Sequence, residues 1–289
     1  MKLSIIMPCY NAARMLPVQL QALSEQRWCD TWEIIVADNG CTDHSLAVLK
    51  KYESHLPIRI IDASRKRGAY FARNAALQVA NGDAFLFCDA DDQVGDGWLA
   101  TAGQALLQHA AIMCRSDFRA LNPSWTQFHD NEETRGGMAM LGFPPFCPLG
   151  GCSALGIRRS VYEAVGGFDE SWRFFGDLEY SVRLFHAGYK IQFVPDAVVR
   201  YRYRTTYRSI YRQAKHWGIA YERLYKQYGR TMESDRWRWR AYLRRCKVLL
   251  KTCPTDIRHT QGRARLVYLL GWHLGLLQGS LKYAVPPVV

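Results

Sequence analysis

The chain has little of what marks a zinc-bound, secreted or membrane-spanning protein. None of its nine cysteines falls in a C-x-x-C pair, which argues against a zinc or thioredoxin-like site. They are odd in number and scattered, and several, such as Cys88 and Cys114, sit in apolar runs. There a free thiol acts as a small hydrophobe, and the usage fits a reducing compartment. No signal peptide is visible: the apolar run after Lys2 is short, ends at Pro8 and has no small-residue cleavage site, so it reads as a first strand. The charge-free run 266–281 is sixteen residues long and contains His273 and Gln278, short of the ~20 apolar residues that a spanning helix needs. There is no internal repeat and no low-complexity tract. Acid is scarce at one end: residues 200–289 hold 20 Lys/Arg but 4 Asp/Glu, a net +16. Residues 1–199 hold 18 and 22, a net −4. A near-neutral body with a basic end region implies an anionic partner for that end.

What is present is globular. With 289 residues, 48% hydrophobic and 22% charged, the chain can form one large or two small domains with a real core. The most informative stretch is Phe85-Leu86-Phe87-Cys88-Asp89-Ala90-Asp91-Asp92, an apolar strand-like run that stops at three carboxylates. Carboxylates at that density resist burial unless something positive neutralises them. Hard cations such as Mg²⁺ or Mn²⁺ prefer carboxylate and phosphate oxygens. A second acidic strand end stands upstream, Ile34-Ile35-Val36-Ala37-Asp38-Asn39-Gly40. Two such ends at one sheet edge describe a ligand site of an open α/β domain.

Periodicity supports that architecture. Strand patterns at Leu3–Met7, Glu33–Ala37, Ile58–Ile61, Ala84–Cys88 and Ala110–Cys114 alternate with helical patterns at Ala13–Gln26, up to Tyr52 from a cap at Asp43, Gly68–Val79 and Trp98–Leu107. The series predicts an α/β fold, a doubly wound and mostly parallel sheet. From Asp117 to Gly151 the pattern fails, punctuated by Asn122, Pro123, Gly136, Gly137, Pro144, Pro145 and Pro148; loops that long are usually functional or disordered. Order returns with a strand at Ala154–Ile157, helices at Arg159–Val165 and Asp177–Ala187, and strands at Lys190–Val194 and Ala197–Tyr201. The remainder reads as helices, Tyr207–Tyr228, Arg236–Lys251 and Arg263–Lys282, giving a catalytic domain over 1–204 and a basic helical region over 205–289.

Five motifs occur in order: Ser4-Ile5-Ile6-Met7-Pro8-Cys9-Tyr10-Asn11, Asp38-Asn39-Gly40-Cys41-Thr42-Asp43, Gly68 with Ala72-Arg73-Asn74-Ala75, Asp89-Ala90-Asp91, and Gly166-Gly167-Phe168-Asp169-Glu170. Each is weak alone; in this order and spacing they are specific. Over roughly residues 2–230 the chain resembles the family 2 glycosyltransferases, whose fold is GT-A. The resemblance implies an inverting transferase using a nucleotide-sugar, with UDP as the favoured nucleotide and Mn²⁺ or Mg²⁺ as cofactor. It implies that Pro8 and Tyr10 turn the chain over the base, Tyr10 packing on it, while Asp38 accepts a base N–H. Arg73 pairs with a nucleotide phosphate or a strand-end carboxylate. Asp91 ligates the metal and Asp89 holds ribose or metal-bound water, so that charge on the leaving diphosphate is neutralised.

Aligned on Arg183-Leu184 and Gly188-Tyr189, the same resemblance puts Asp177 at the general base, with Gly176 where the family often has Glu. A carboxylate there also suits a helix start. Glu179 is the alternative base and reads better as a structural or acceptor-binding residue. Many relatives carry a His where Arg200 stands; Arg cannot ligate a metal, and would instead stabilise the diphosphate directly. His186 reads as a surface or packing residue. Gly150-Gly151-Cys152-Ser153 either shapes the sugar and acceptor pocket or is a simple turn.

The basic end is less specific. Arg236-Trp237-Arg238-Trp239-Arg240 and Arg244-Arg245-Cys246-Lys247 suit a helix on an anionic membrane surface. Gly271, Gly275 and Gly279 form a small-residue stripe for close packing on the chain itself or a dimer mate. The expectation is a cytoplasmic enzyme, peripheral at the membrane face, acting on a glycan or lipid-linked acceptor. A sugar-phosphate nucleotidyltransferase would carry a Gly-rich, basic phosphate loop where this chain has Pro8-Cys9-Tyr10-Asn11. A non-catalytic nucleotide-sugar-binding or nucleic-acid-binding protein is the rival from another class; no nucleic-acid motif supports it, and Asp89, Asp91 and Asp177 favour catalysis.

Overall fold

The structure, a computed structural model, describes residues 1–127, 138–229 and 235–287. Gly136 and Gly137 of the punctuated segment lie outside them. The described residues divide into two compact units. One is built mainly of Met1–Leu121 and Pro148–Arg202, the other of 122–127, Met140–Cys147 and 203–287.

The first unit centres on an eight-stranded sheet of order β3-β2-β1-β4-β9-β6-β10-β5. The strands are β1 Leu3–Cys9, β2 Trp32–Asp38, β3 Ile58–Asp62, β4 Ala84–Phe87, β5 Gln93–Val94, β6 Ala111–Asp117, β9 Leu155–Arg158 and β10 Ile191–Arg200. The short β7 (Ala139–Met140) and β8 (Pro148–Leu149) form a separate pair. Helices α1 Leu16–Ser24, α2 Ser45–Tyr52, α3 Ala69–Val79, α4 Trp98–Gln108, α5 Arg159–Val165 and α6 Gly176–His186 complete it. Leu3, Ile5 and Ile6 of β1 and all of β4 are fully buried, as covering both faces of a parallel sheet requires. The mostly parallel expectation holds: β1 pairs in parallel with β2 and β4, β2 with β3, and β6 with β10, while β9 and β5 run antiparallel to their neighbours. The chain winds outward from β1 through β2 to β3, then returns to place β4 on the other side of β1. That reversal opens a crevice at the carboxyl ends of β1, β2 and β4.

Three local expectations change. Pro8 does not turn the chain: it lies inside β1, which runs to Cys9, and the turn falls at Asn11 with φ 48°. β4 pairs with β1 only as far as Ile6, so Pro8 sits where one side of the ladder has ended. Asp43 precedes the N-cap of α2, which is His44, yet its Oδ1 still accepts from the Ser45 N–H at 3.0 Å. The two strands expected around Pro195 are one strand, β10, with a register shift between Val194 and Val198 that accommodates the proline.

The second unit is helical: α7 Tyr207–Leu224 with a π turn at Tyr225–Gly229, α8 Asp235–Asp256 and α9 Thr260–Tyr283. A reciprocal Thr206/Ser209 capping box starts α7. The glycine stripe seats α9 on α7. A Cβ on Gly271 would lie 2.5 Å from the Tyr211 carbonyl oxygen, and one on Gly275 only 2.2 Å from that of Lys215. Phe143 packs edge-on to Tyr225.

Candidate active site

The crevice is lined by the ends of β1, β2 and β4, and asparagines fasten the loops around it to one another. Asn11 Oδ1 accepts from the Thr42 N–H at 2.8 Å, joining the β1 turn to the loop after β2. Asn39 donates to the carbonyls of Ala63 (2.6 Å) and Lys66 (2.8 Å) and accepts from the Gly68 N–H (2.8 Å), joining β2 to β3 and the start of α3. Asn74 exchanges two bonds with the Phe168 backbone, at 2.8 and 2.9 Å, joining α3 to the turn after α5. Lys66 reaches Glu170 of that turn at 2.9 Å. These motif residues are therefore structural staples.

Asp38, at the end of β2, turns Oδ1 onto its own loop, accepting from the N–H groups of Gly40 (3.1 Å) and Cys41 (2.8 Å). Tyr10 is exposed, and Arg67 lies over its ring at 4.5 Å from the centroid and bonds its hydroxyl. Cys9 and Cys41 are free thiols 3.8 Å apart beside this corner; burial, with Cys41 close by, pushes the Cys9 thiol far up and keeps it protonated.

The acidic end of β4 is held on three sides. Buried Arg73 of α3 is paired with Asp89, a strand-end carboxylate, one of the two kinds of partner expected for it. Buried Gln19 donates to the Asp89 carbonyl at 3.1 Å and accepts from the Val94 N–H at 2.9 Å. Arg202 gives its Nε to the Asp91 carbonyl (2.8 Å) and its N–H to Asp92 Oδ1 (2.9 Å). Arg200, the expected diphosphate cation, stands opposite Gln93 of β5, and its guanidinium comes within 3.7 Å of the exposed Asp96. Asp92 is fully buried with Oδ2 unpartnered, and burial plus the neighbouring Asp89 and Asp91 push its pKa well up.

Asp177 sits in the first turn of α6, after Phe175 as N-cap. Oδ1 accepts from Tyr70 Oη at 3.1 Å and the Leu178 N–H at 3.0 Å; Oδ2 accepts from the Cys152 N–H at 3.1 Å. Burial pushes its pKa up against these bonds and the nearby Arg73 charge. A Cβ on Gly176 would lie 2.7 Å from the Tyr70 ring, so glycine there lets the tyrosine lie against the helix start. Glu179 is a structural residue: buried, it takes Arg183 Nε on both oxygens, at 2.8 and 3.1 Å.

Tyr70 and Arg73 stand three residues apart on α3, hence on one face. One turn of helix thus carries the contact to Asp177 and the contact to Asp89. A carboxylate of raised pKa and a cluster of strand-end acids converge on one place, the pattern of an enzyme site in an open α/β sheet. The donors at the β4 end are hard oxygens. Among the described residues no group of three or more His, Cys, Asp and Glu could by itself hold a metal. The unpartnered Asp92 Oδ2 and this oxygen set fit a hard divalent cation that takes its other ligands from phosphate and water.

Comparison with known proteins gives the family and the fold. Residues 4–166, more than half the chain, match the model of glycosyl transferase family 2, and the chain belongs to that family. It is 37% identical over 91 residues to the uncharacterized glycosyltransferase YfnE of Bacillus subtilis, covering 32% of this chain and 23% of that one. It is 32% identical over 124 residues to the poly(ribitol-phosphate) beta-N-acetylglucosaminyltransferase TarS of Staphylococcus aureus, covering 42% and 22%. The matched part thus spans under a quarter of these relatives. Among solved structures, the mannosyltransferase PcManGT from Pyrobaculum calidifontis, in complex with GDP-Man and Mn²⁺, superposes with a TM-score of 0.69 over 97% of this chain and 87% of that one, at 18% identity. TarS 1–349 with UDP gives 0.53 over 98% and 92%, at 15% identity. The fold is that of the GT-A glycosyltransferases, as expected.

Proposed function

We propose that the protein transfers a sugar, with inversion, from a UDP-sugar to a hydroxyl of a glycan or lipid-linked acceptor, in the building of cell-surface polysaccharide or glycolipid at the cytoplasmic membrane face. The observation that carries this reading is the α3 turn that bridges Asp177 and Asp89. In this reading that turn joins a base to a cationic and acidic diphosphate site.

In this reading Asp177 takes the proton of the acceptor hydroxyl. The freed oxygen bonds to the anomeric carbon from the side opposite the leaving group, and the bond from that carbon to the diphosphate oxygen breaks, its electron pair leaving with the diphosphate. The raised pKa of Asp177 suits a base near neutral pH, and Tyr70 and the Cys152 N–H fix its direction. Asp91, with Asp92 beside it, would hold Mg²⁺ or Mn²⁺, and Asp89 would hold ribose or metal-bound water. The bound ion supplies positive charge for the leaving diphosphate. Arg73 orients Asp89 for ribose or metal-bound water, and Arg202 is better placed than Arg200 to support the acidic loop. Tyr10 and Asp38 would receive the base, Tyr10 once Arg67 leaves its ring or on its other face. Relatives and neighbours named for UDP, UDP-GlcNAc and GDP-Man support a nucleotide-sugar donor.

Calorimetric titration with UDP, GDP and their sugars, each with and without Mn²⁺, tests this. UDP binding that needs Mn²⁺ and is lost in Asp91→Ala supports the donor and metal assignments. Binding without turnover of any acceptor supports a non-catalytic binder, and no nucleotide binding at all ends the proposal.

A further inference from the structure

The outward faces of α8 and α9 carry a feature that the packing of the second unit does not use. The inner face of α8 presents Arg238, Tyr242 and Leu249, all buried, with Tyr242 Oη donating to the His273 carbonyl at 3.0 Å. Its outer face exposes Trp239, Leu243 and Val248 among the exposed cations Arg240, Arg244, Lys247 and Lys251. On α9 the glycines and Leu276 face inward, whereas Leu270, Leu274 and Leu281 are exposed, Leu281 to 75%. With half-buried Val267 and Leu277 they recur at spacings of three and four residues, a single apolar stripe along more than three turns. No charged residue interrupts 266–281.

We infer that these two faces form a docking surface for an anionic lipid bilayer, on which the helices lie without crossing. The two halves of the surface demand one occupant. The leucine stripe gains only from an apolar phase, which the phosphate backbone of a nucleic acid does not offer. The cations gain only from negative charge, and a second copy would bring another region of net +16 against the first. An anionic bilayer supplies headgroup charge and acyl chains at adjacent depths, with Trp239 suited to the level between them. Acidic residues blunt little of the cationic field. Glu222 is buried and Asp256 faces Arg265 at 3.5 Å. No helix among the described residues is long and apolar enough to cross a membrane, so an in-plane arrangement is the one this surface serves.

The test is flotation of the full chain with vesicles of phosphatidylcholine alone or with phosphatidylglycerol. The expected result is binding to the anionic vesicles only, weakened by salt. The triple variant Arg240→Glu/Arg244→Glu/Lys247→Glu should bind at least about a hundredfold more weakly, given about fivefold per basic residue near the surface. Leu270→Gln/Leu274→Gln should weaken binding even at low salt. Both variants should keep the wild-type melting temperature and nucleotide binding, which separates lost docking from lost folding. Failure of the full chain to float at low salt overturns the inference, as does unchanged binding by either variant. So does a dimer in sedimentation equilibrium that Leu270→Gln/Leu274→Gln dissolves, which would assign the stripe to a second copy. The outcome is independent of the donor titration above.

Discussion

Replacing Tyr70 by Phe removes one oxygen and leaves the ring against Gly176 and Phe168. That oxygen donates to Asp177 Oδ1 at 3.1 Å and accepts the Asp177 N–H at 3.3 Å. Burial holds the Tyr70 hydroxyl well above its ordinary pKa, so it remains a donor across the working range. A hydrogen bond to a charged group contributes about 1.5–3 kcal/mol, and its length here argues for the low end. At 1.36 kcal/mol per unit, its loss should raise the Asp177 pKa by about one unit beyond its already raised position. The sign follows from the bond favouring the carboxylate: without it the proton is held more tightly. In the pH profile of kcat the acid limb should therefore move up by about one unit. Activity on that limb should fall about tenfold, the alkaline plateau should change little, and the donor KM should stay. Stopped-time assays from pH 5 to 9 on both proteins, with melting curves to check folding, measure this. A uniform loss at every pH with an unmoved limb would refute the electrostatic role of Tyr70. An Asp177→Asn enzyme with wild-type kcat would refute the base itself.

Asp92→Asn should raise the melting temperature at pH 7–8 and not below pH 4. The raised folded pKa means that the wild type loses stability as pH climbs past the unfolded value, and the variant should also bind the donor with Mn²⁺ more weakly. Arg73→Ala leaves the partly exposed Asp89 without its partner and should cost about 1.5–3 kcal/mol in denaturant unfolding, the contribution of a hydrogen bond to a charged group. Arg202→Ala should lower donor affinity more than Arg200→Ala, because Arg202 bonds the Asp91 carbonyl and Asp92 whereas the Arg200 guanidinium reaches the exposed Asp96; calorimetry on both settles the order. Gly275→Leu should unfold the second unit or displace α9, given the 2.2 Å approach of its Cβ to Lys215, read as lost helicity in circular dichroism.

The strand ends were legible because acid after an apolar run is chemically conspicuous: Asp38 and Asp89 to Asp92 stand at the crevice as expected. The helix over 159–165 was legible to the residue. What escaped depends on pairing at a distance. The contact of Arg202 with the acidic loop depends on the β10 register, which rests on a bulge near Pro195 and on pairing with β5. No local pattern states either. Tyr70 stood one helical turn before Arg73 and was open to inference by spacing alone, but its partner Asp177 lies 107 residues away. The asparagines of the motifs were read as signatures; that they bind one loop to the next appears only once the loops are folded together.

That asparagine chain gives the crevice a collective character. The loop after β1 is keyed to the loop after β2, that loop to β3 and α3, and α3 to the turn after α5. Substitutions at Asn11, Asn39 and Asn74 should then couple rather than add. A graft that moves one strand-end loop from a relative with another donor would arrive without its neighbours' half of each clasp. Exchange of a single loop therefore works against the fold's own fastening.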